Sequence, residues 1–529
     1  MEHESKSRIL KAAGSVGLMT ALSRIFGYVR DAALAWALGA SMSMDAFTVA
    51  YRIANLFRRL VAEGAMSASF VPVFIQYRQE NSQEELWNFV RKFFYTLALI
   101  TSLIVIFEMT FAPVIVKIMA PGFLNNPQKL ELTIFLTRVM APYLIFVSLT
   151  ALFMGVLNSF GYFAVPALGP VFFNVALIAS VFFSTHFLSN PVIGISFGVV
   201  LGGILQFASQ LPFAIRKGMR FQLGFSFRHP AVRKIGMLLA PSIFGIGIVQ
   251  INVLVDSLMA SLLREGSVSQ IYYADRVMEL VLGIFVVSLG TVILPEMSQF
   301  AAEKNPEELK KTLLFSLRAT SFVSIPAGIG LFFLANPIVH VLFEHGRFTN
   351  LDTERTAVAL AYYAIGLYFA AAIRILVQAF YAVQDTKTPV KIAFVALIVN
   401  AILDWILMHP LKQGGLALST SITSALTYFQ LCHAFEKRYG SFDWNKFRVS
   451  AIKTSIASVT MGIVCLISLS LLNFNGQAFL SSKVFILLGT ILLGLAVYIG
   501  SSFLLKLDEL SFIKTIIRKL AQRNSGKTD

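Results

Sequence analysis

Long apolar stretches without charge dominate this chain, and each is long enough to cross a bilayer as a helix. Residues 139–215 contain no Asp, Glu, Lys or Arg, and neither do 319–343, 454–482 or 484–505. A helix needs about 20 apolar residues to span the hydrocarbon core. Runs of this length lack the two-residue alternation of a membrane β-barrel. The pattern predicts an all-α polytopic membrane protein with about fourteen transmembrane helices.

The predicted spans form an internal repeat. Ala50-Tyr51-Arg52 in the second span recurs as Ala274-Asp275-Arg276 in the eighth, and Phe70-Val71-Pro72 recurs as Ile293-Leu294-Pro295. The offset of about 223 residues contains an even number of spans, so both copies have the same orientation in the membrane. The sequence therefore predicts two pseudo-symmetric six-helix lobes, followed by two C-terminal helices.

The predicted domains end in the loops between spans. We expect an N-lobe, a C-lobe, a pair of C-terminal helices and an amphipathic cytoplasmic tail at residues 1–218, 219–440, 441–506 and 507–529. In the tail, Leu510, Ile513 and Ile517 lie on one side of a helix, and Lys514 and Arg518 lie on the other. This pattern is typical of a helix that rests on a membrane surface.

Composition and charge support this class and indicate its orientation. Of the 529 residues, 56% are hydrophobic and 14% are charged, with a mean hydropathy of +0.72. The net charge of +16 comes mainly from loops on the side of the N-terminus, such as 216–234 and 437–448. Because basic loops stay in the cytoplasm, we expect both termini there. Topology and anionic lipid explain the positive charge, so no nucleic-acid partner is inferred.

The sequence contains no recognisable motif of an enzyme or a cofactor site. Cys432, Cys465 and the seven histidines are scattered and lack the spacing of metal ligands. No Walker A or dinucleotide-binding glycine motif occurs. We therefore expect a transporter without a cofactor, driven by a gradient, a partner or its own substrate.

Arginines interrupt several apolar spans. Arg24 and Arg30 lie well inside the first span, Arg58 in the second and Arg276 in the eighth. Burying such charges costs a few kcal/mol each, so they indicate a water-filled cavity or a paired site. The planar guanidinium donates two hydrogen bonds to phosphate oxygens without losing its proton. The pattern predicts binding of a lipid or glycolipid that carries phosphate.

A structural role is the alternative for each of these arginines. Arg59 lies close to a helix end, where its side chain can reach the headgroups, and for Arg52 and Arg374 the two interpretations are equally good. The acidic residues available for pairing are Asp31, Asp45, Glu63, Asp275 and Glu279.

A second polar cluster is predicted in the other lobe. Asn400 and Asp404 are spaced to share one face of the eleventh span, and Asp256 and Thr420 lie in the seventh and twelfth. Carboxylate, amide and hydroxyl oxygens suit a hard cation such as Na⁺, or a shared proton. Neutral, hydrogen-bonded carboxyl groups are the alternative interpretation.

Several longer stretches carry a resemblance to a known family. The chain resembles the MurJ (MviN) family of lipid II flippases over nearly its whole length. The stretches are Ser23-Arg24 to Arg30-Asp31, Asp45-Ala46-Phe47, Asn55-Leu56-Phe57-Arg58-Arg59, Ala62-Glu63-Gly64-Ala65, Phe70-Val71-Pro72, Tyr272-Tyr273-Ala274-Asp275-Arg276-Val277-Met278-Glu279 and Gln384-Asp385-Thr386-Lys387-Thr388-Pro389.

The resemblance implies a member of the multidrug/oligosaccharidyl-lipid/polysaccharide exporter superfamily. Such a protein flips lipid-linked peptidoglycan precursor, lipid II, to the periplasmic leaflet of the bacterial inner membrane by alternating access. Its two C-terminal helices form a groove for the lipid tail. The expected partners are lipid II, membrane lipids and the cell-wall synthesis machinery, and we expect a monomer.

The resemblance also implies roles for individual residues. The diphosphate-binding arginines are Arg24, Arg30, Arg58 and Arg276. We expect supporting or portal positions at Ser23, Asp31, Asp45, Asn55, Arg52, Arg59, Glu63, Glu279 and Arg374. A sodium site found in part of the family maps onto Asp256, Asn400, Asp404, the carbonyl group of Leu416, and Thr420.

Three other functions fit parts of the pattern. A flippase for another polyprenyl-diphosphate-linked oligosaccharide, of the O-antigen type, shares the fold and the arginines. A drug/cation antiporter needs an acidic cavity, whereas the predicted cavity is basic. A membrane enzyme that acts on polyprenyl diphosphate needs clustered catalytic groups, which the sequence does not supply.

Overall fold

A computed structural model describes residues 2–61, 65–222, 224–474 and 479–510. Within these ranges, the side chains of 2–16, 57, 60, 61, 65, 67, 68, 240–246, 248, 249 and 284–292 are not described. The described chain contains seventeen α-helices and one short 3-10 helix, without a β-strand, so the predicted all-α fold is confirmed. Most of the predicted tail lies outside the described residues.

The first ten α-helices run from the N-terminus to the middle of the chain. They are α1 Glu2–Leu38, α2 Met42–Val61, α3 Ala65–Glu80, α4 Gln83–Met119, α5 Pro127–Met140, α6 Tyr143–Ser159, α7 Ala164–Phe187, α8 Pro191–Arg216, α9 Pro230–Ser261 and α10 Ser267–Ala302, with the 3-10 helix Pro121–Asn125 between α4 and α5.

Seven further α-helices complete the described chain. They are α11 Pro306–Phe333, α12 Ala335–Phe343, α13 Asn350–Ala382, α14 Lys387–Leu411, α15 Gln413–Tyr439, α16 Trp444–Leu471 and α17 Leu480–Leu504.

The helices form two compact units. The first comprises Met1–Ser269 with His345–Thr349, and the second comprises Gln270–Glu344 with Asn350–Asp529. In the first unit, α9 packs against α2, α3 and α4. The sequence places α9 at the start of the C-lobe, whereas its packing partners are helices of the first repeat.

Many of these helices are long and apolar enough to cross a membrane. By length and composition alone, nine such spans are found among the described residues: Gln83–Met119, Pro127–Ser159, Ala164–Phe187, Pro191–Arg216, Pro306–Phe333, Asn350–Ala382, Lys387–Leu411, Trp444–Leu471 and Leu480–Leu504. The protein is therefore a multi-span membrane protein, and the total of about fourteen spans stays a prediction.

The internal repeat is visible in matching local contacts. The Ser82 side chain caps α4 by accepting from the Glu85 amide, and at the equivalent position Asn305 caps α11 by accepting from the Glu308 amide. Just before these caps, Gln76 donates to Glu80, and the equivalent Gln299 donates to the equivalent Glu303, both at 2.8 Å. Both copies thus build the same helix–turn–helix, with Ser82 of the first copy replaced by Asn305 in the second.

Close packing of α7 and α8 depends on small residues. A Cβ atom added at Gly194 or Gly198 would lie 2.2 or 2.4 Å from the hydroxyl oxygen of Ser184 or Ser180, respectively. One added at Gly202 would lie 2.6 Å from a ring carbon of Phe173. Small residues spaced four apart allow membrane helices to approach closely where the hydrophobic effect does not hold them together. This row fixes α7 against α8.

A buried carboxylate joins three segments of the first unit. Asp45, at the start of α2, is completely buried and accepts from Lys129 Nζ of α5 at 2.6 Å. It also accepts from the amides of Gly266 and Ser269 at 2.8 and 2.9 Å, and from the Ser269 hydroxyl at 2.5 Å. Lys129 Nζ lies 4.1 Å from the centre of the Phe123 ring. Four donors compensate for the desolvation of Asp45.

The C-terminal helices are attached to α11 in the second unit. The Tyr498 hydroxyl of α17 donates to the Phe322 carbonyl oxygen at 2.6 Å. Beyond α17, Arg318 of α11 donates to Glu509 at 2.7 Å, and the Ser450 hydroxyl of α16 donates to the same carboxylate oxygen. Arg318 is therefore an anchor for the segment after α17.

Local geometry at the turn between α13 and α14 accounts for the motif Gln384-Asp385-Thr386-Lys387-Thr388-Pro389. Gln384 has a φ of +60°, and the Asp385 carboxylate accepts from the amides of Lys387 and Thr388 at 3.1 and 3.0 Å. Arg438 of α15 donates to the same carboxylate at 2.8 Å. Burial raises the pKa of Asp385, but these hydrogen bonds and Arg438 outweigh it and hold the pKa below its usual value.

Replacing Asp45 should destabilise the first unit. Asp45→Asn leaves the buried Lys129 charge uncompensated, which costs about 3–5 kcal/mol, so the midpoint of thermal unfolding in detergent should fall clearly. Lys129→Met added to Asp45→Asn should restore part of the loss, because both charges are then gone. Glu131→Gln on α5, at an exposed site, is the matched control. An unchanged midpoint for Asp45→Asn would show that the pair contributes nothing.

Replacing Asp385 should weaken the turn in a pH-dependent way. Loss of the cap in Asp385→Ala should cost about 1 kcal/mol, whereas the exposed Arg438 adds little. Because the folded pKa is lowered, the contribution is complete above the unfolded value of 3.8 and is lost as pH falls through the folded pKa. Unfolding midpoints across acidic pH should converge for wild type and variant. Glu354→Ala is the control, and parallel profiles would contradict the assignment.

Candidate functional site

The first cluster of predicted site residues is built on α1 and α7. Arg30 donates to Asp31 Oδ1 from Nε at 2.9 Å and from Nη2 at 2.8 Å. Its Nη1 donates to Asn174 Oδ1 of α7 at 3.1 Å. The side-chain amide nitrogen of Asn174, Nδ2, in turn donates to the carbonyl oxygen of Ser23 at 3.1 Å. Asn174 therefore holds the Arg30 guanidinium and also the backbone of α1 at Ser23, about two turns before Arg30.

Arg24 lies on the same helix but lacks the contacts that hold Arg30. Its side chain is half-buried, and it makes no hydrogen bond or ion pair with any residue that the structure describes. Burying a cation in an apolar helix is unfavourable unless water or an anion compensates its charge. Of the arginines predicted on α1, Arg30 is braced and Arg24 is available to a ligand.

Arginines of α2 contact α9. Arg52 donates to the Ser257 hydroxyl at 2.5 Å, and Arg59, two turns later, donates to Gln250 at 3.3 Å. Gln250 is nearly buried, with 7% of its surface exposed. Because α2 and α9 run antiparallel here, the two contacts form a ladder along their interface. Arg59 thus has a partner inside the unit in addition to the headgroup region expected for it.

Arg58 is held by its own helix. Its Nε donates to Asn55 Oδ1 at 2.6 Å, three residues earlier. This contact gives the predicted supporting residue Asn55 a definite role, since it orients the guanidinium that follows it. Glu63, a predicted supporting position, lies outside the described residues.

Arg276 forms ion pairs within the second unit. It lies 3.4 Å from Asp275 and 3.3 Å from Glu279, and its guanidinium is 5.2 Å from the centre of the Tyr272 ring. Tight charge-assisted bonds are about 2.8 Å long, and Arg276 is 30% exposed. The local bridge considered from the sequence does form, with long and accessible contacts that an anion can replace.

Arg374 projects from the middle of α13. It is exposed and has no hydrogen bond or ion pair among the residues the structure covers. Neither its exposure nor its surroundings assign it a structural role. Its predicted supporting role remains a prediction.

The second predicted cluster lies between α14 and α15. Asn400 donates to Asp404 at 3.0 Å, and both are buried. Ser419 donates to the backbone and side-chain oxygens of Asn400 at 3.1 and 3.3 Å. One residue on, Thr420 donates to the Leu416 carbonyl at 3.1 Å. The cluster is rich in oxygen atoms that could bind a cation. Ser419 is a member that the sequence did not reveal.

These oxygen atoms fit a hard monovalent cation better than a transition metal. Among the described residues, no group of three or more His, Cys, Asp or Glu side chains could hold a metal ion, whereas Na⁺ needs only carboxylate, amide, hydroxyl and carbonyl oxygens. The Leu416 carbonyl retains a second lone pair for a cation. Asp256 lies on α9 in the first unit.

One buried acid was not singled out from the sequence. Glu108 of α4 is fully buried, and neither carboxylate oxygen has a hydrogen-bond partner among the described residues. An ionised carboxylate would be uncompensated there, so a neutral acid is the form that this environment favours. A single Glu in an apolar run gives no indication of its packing partner, which is why the sequence did not distinguish it.

Sequence relatives cover almost the whole chain. The profile of the family described as "Lipid II flippase MurJ" matches residues 34–489. A "Probable lipid II flippase MurJ" from Buchnera aphidicola subsp. Acyrthosiphon pisum is 36% identical over 467 residues, 88% of this chain and 91% of that protein. A "Lipid II flippase MurJ" from Burkholderia cenocepacia is 34% identical over 499 residues, 93% and 96% of the two chains.

Solved structures agree with this relationship. "Lipid II flippase MurJ, inward closed conformation" superposes with a TM-score of 0.79 and 29% identity, covering 94% of this chain and 99% of that one. An inward-facing multidrug resistance MATE transporter of the MOP superfamily shares the fold, with a TM-score of 0.66, 14% identity and coverage of 79% and 94%. The chain belongs to the lipid II flippase MurJ family.

Proposed function

We propose that this protein carries lipid II from the cytoplasmic to the periplasmic leaflet of a bacterial inner membrane, with both termini in the cytoplasm. Its family membership and its multiple apolar helices support this function. Flipping moves an intact amphiphile and needs no covalent chemistry, which is consistent with a transporter rather than an enzyme. Alternating access, in which the site opens to one side at a time, is the mechanism that fits.

The observation that carries the binding step is the contrast on α1. Asn174 and Asp31 fix the Arg30 guanidinium, so its positive charge has a defined position. Arg24, six residues earlier, has no described partner, and its guanidinium can form a bidentate contact with phosphate oxygens. A diphosphate entering beside α1 would replace water around Arg24 and gain the field of Arg30.

Arg58 and Arg276 are the further diphosphate ligands expected from the family resemblance. Each is oriented by a neighbour on its own helix, Asn55 or Glu279, and each can exchange that contact for a phosphate oxygen. Because each arginine already contacts a polar neighbour, burying its charge costs less while no substrate is bound. The polyprenyl tail would remain in lipid beside α16 and α17, since moving it through a polar cavity would expose apolar surface to water.

Removing the free guanidinium should impair transport. Arg24→Ala should lower lipid II flipping roughly tenfold to hundredfold, because a hydrogen bond to a charged group contributes about 1.5–3 kcal/mol. Arg24→Lys should retain part of the activity, since it keeps the charge but loses the fork. The readout is the periplasmic accessibility of the lipid II headgroup in depleted cells complemented at matched expression.

Controls separate this from a general defect. Arg138→Ala removes an exposed arginine of α5 that donates to the Met109 carbonyl, and it should flip normally. If Arg24→Ala, Arg30→Ala and Arg276→Ala all flip lipid II at the wild-type rate, the arginines are structural. In vesicles, transport of an O-antigen-type polyprenyl-diphosphate glycolipid in place of lipid II would favour the alternative flippase.

We also propose that Asn400, Asp404, Leu416 and Thr420 bind Na⁺, with Ser419 positioning Asn400. Their oxygens supply the donors that Na⁺ requires. A bound cation would neutralise the buried Asp404 carboxylate and bias the equilibrium between conformations. Asp256 is the further ligand expected from the family resemblance.

Sodium should therefore stabilise the protein through Asp404. At ten times the dissociation constant, Na⁺ should add about 1.4 kcal/mol, seen as a higher unfolding midpoint in NaCl than in choline chloride at equal ionic strength. Asp404→Asn should abolish the difference, whereas Glu354→Gln on α13 should keep it. Equal midpoints of the wild-type protein in both salts would refute a sodium site.

A further inference from the structure

The segment between α8 and α9 approaches α4 in an unusual way. Residues 217–229 are neither helix nor strand where the structure describes them. Their apolar and small or polar side chains alternate: Phe221, Phe225 and Phe227 occupy odd positions, and Gln222, Gly224 and Ser226 occupy even ones. We call residues 217–229 the linker.

Both ends of the linker are fixed near the start of α4. A Cβ atom at Gly218 would lie 2.7 Å from Trp87 Nε1, and the φ of Gly218 is +115°. At the other end, the His229 ring stacks on Phe89 with centroids 5.6 Å apart. Burial of the His229 imidazole, with Lys92 nearby, lowers its pKa and so favours the neutral ring. Glycine and a neutral ring permit these close contacts.

The middle of the linker lies further along α4. Phe221 packs edge-on against Phe94 at 5.5 Å, and the Ser226 amide donates to the Thr96 hydroxyl at 3.3 Å. From Trp87 to Thr96 the helix rises about 13 Å. The linker therefore descends along α4 from Gly218, reaches its deepest contact at Ser226, and returns to the level of Phe89 at His229. It has the shape of a re-entrant loop.

The deepest part reaches the apolar section of α4. Lys92 is the last charged residue before Glu108, so Phe94 and Thr96 belong to the uncharged run that spans the membrane. Non-helical backbone is tolerated at such a position only if protein groups satisfy it, and the bond from the Ser226 amide to Thr96 does so. The contact places the linker at the boundary between headgroups and acyl chains.

The apolar side chains at this level are uncovered. Phe225 is 64% exposed and Phe227 is 53% exposed, and the two rings pack edge to face with centroids 6.3 Å apart. Exposed arginines flank them at Arg220 and Arg228. Aromatic rings beside basic residues are typical of segments that insert into the interfacial zone of an anionic membrane.

We propose that the linker is a membrane anchor, in which Phe225 and Phe227 insert among the acyl chains of the leaflet where α8 ends. Arg220 and Arg228 then lie at the level of the lipid phosphates. The occupant of this aromatic surface is the lipid itself, because the surface faces outward at a depth that the uncharged run of α4 assigns to the bilayer. The anchor does not depend on lipid II transport.

Depth measurements test the anchor directly. Nitroxide labels on Phe225→Cys and Phe227→Cys, with the protein in vesicles of phosphatidylethanolamine and phosphatidylglycerol, report collision with oxygen, which concentrates in lipid, and with a water-soluble nickel chelate. Both native cysteines are buried, so Cys432→Ser and Cys465→Ser complete a clean background. Glu84→Cys, exposed in the first turn of α4, marks the aqueous limit, and Phe107→Cys, 53% exposed, marks the bilayer interior.

The expected result is a ratio of oxygen to nickel accessibility at positions 225 and 227 severalfold above that at Glu84→Cys, and below that at Phe107→Cys. Ratios equal to that of Glu84→Cys would place the rings in water and overturn the proposal. Labels that neither reagent reaches would show that protein covers the surface, which also overturns it. Neither result requires a flipping assay, so failure here leaves the transport proposal unaffected.

Discussion

A charge inside an apolar helix has to be compensated by another polar group, and many contacts of the first unit meet this requirement. Asp45 is answered by Lys129 and by the chain at Gly266 and Ser269. Arg30 is answered by Asp31 and Asn174. Because the partners come from helices far apart in sequence, neutralising the charges also fixes the positions of α2, α5 and α7.

The same requirement makes Arg24 informative, because no described group compensates its charge. Arg24 shares α1 with Arg30, yet its half-buried guanidinium has no described partner. If Arg24 binds an anion as proposed, the contacts that hold Arg30 on the same helix lower the cost of ordering the site. Tight internal pairing and an available cation are thus complementary features of one helix.

The sequence was sufficient for the features that depend on local composition. Charge-free runs define membrane helices because the bilayer demands them. The repeat was detectable because Ala50-Tyr51-Arg52 and Phe70-Val71-Pro72 recur in similar form about 223 residues later. Arg24, Arg30 and Asp404 stood out because charge is rare in such helices. The sequence singled out these residues and their neighbours Asp31 and Asn400, but it did not predict their partners on other helices.

Contacts between distant segments could not be predicted in this way. Asn174 and Ser419 are uncharged residues in apolar helices, where they look like ordinary packing positions, and Asn174 is separated from Arg30 by 144 residues. The ladder from Arg52 and Arg59 to α9 depends on the relative rotation of two helices, which hydrophobic periodicity alone does not set. Glu108 likewise becomes informative only once its burial is known.

The row of glycines on α8 links helix packing to the proposed ligand site. Gly202 touches Phe173, the residue next to Asn174, so a methyl group there would push α7 outward at the point where it holds Arg30. If Arg30 acts on the diphosphate as proposed, an allele that weakens substrate affinity can therefore arise at a packing position of α8. Genetic screens would map such alleles, many of them temperature-sensitive, to apolar surfaces that look inert, and their suppressors to smaller side chains on α7.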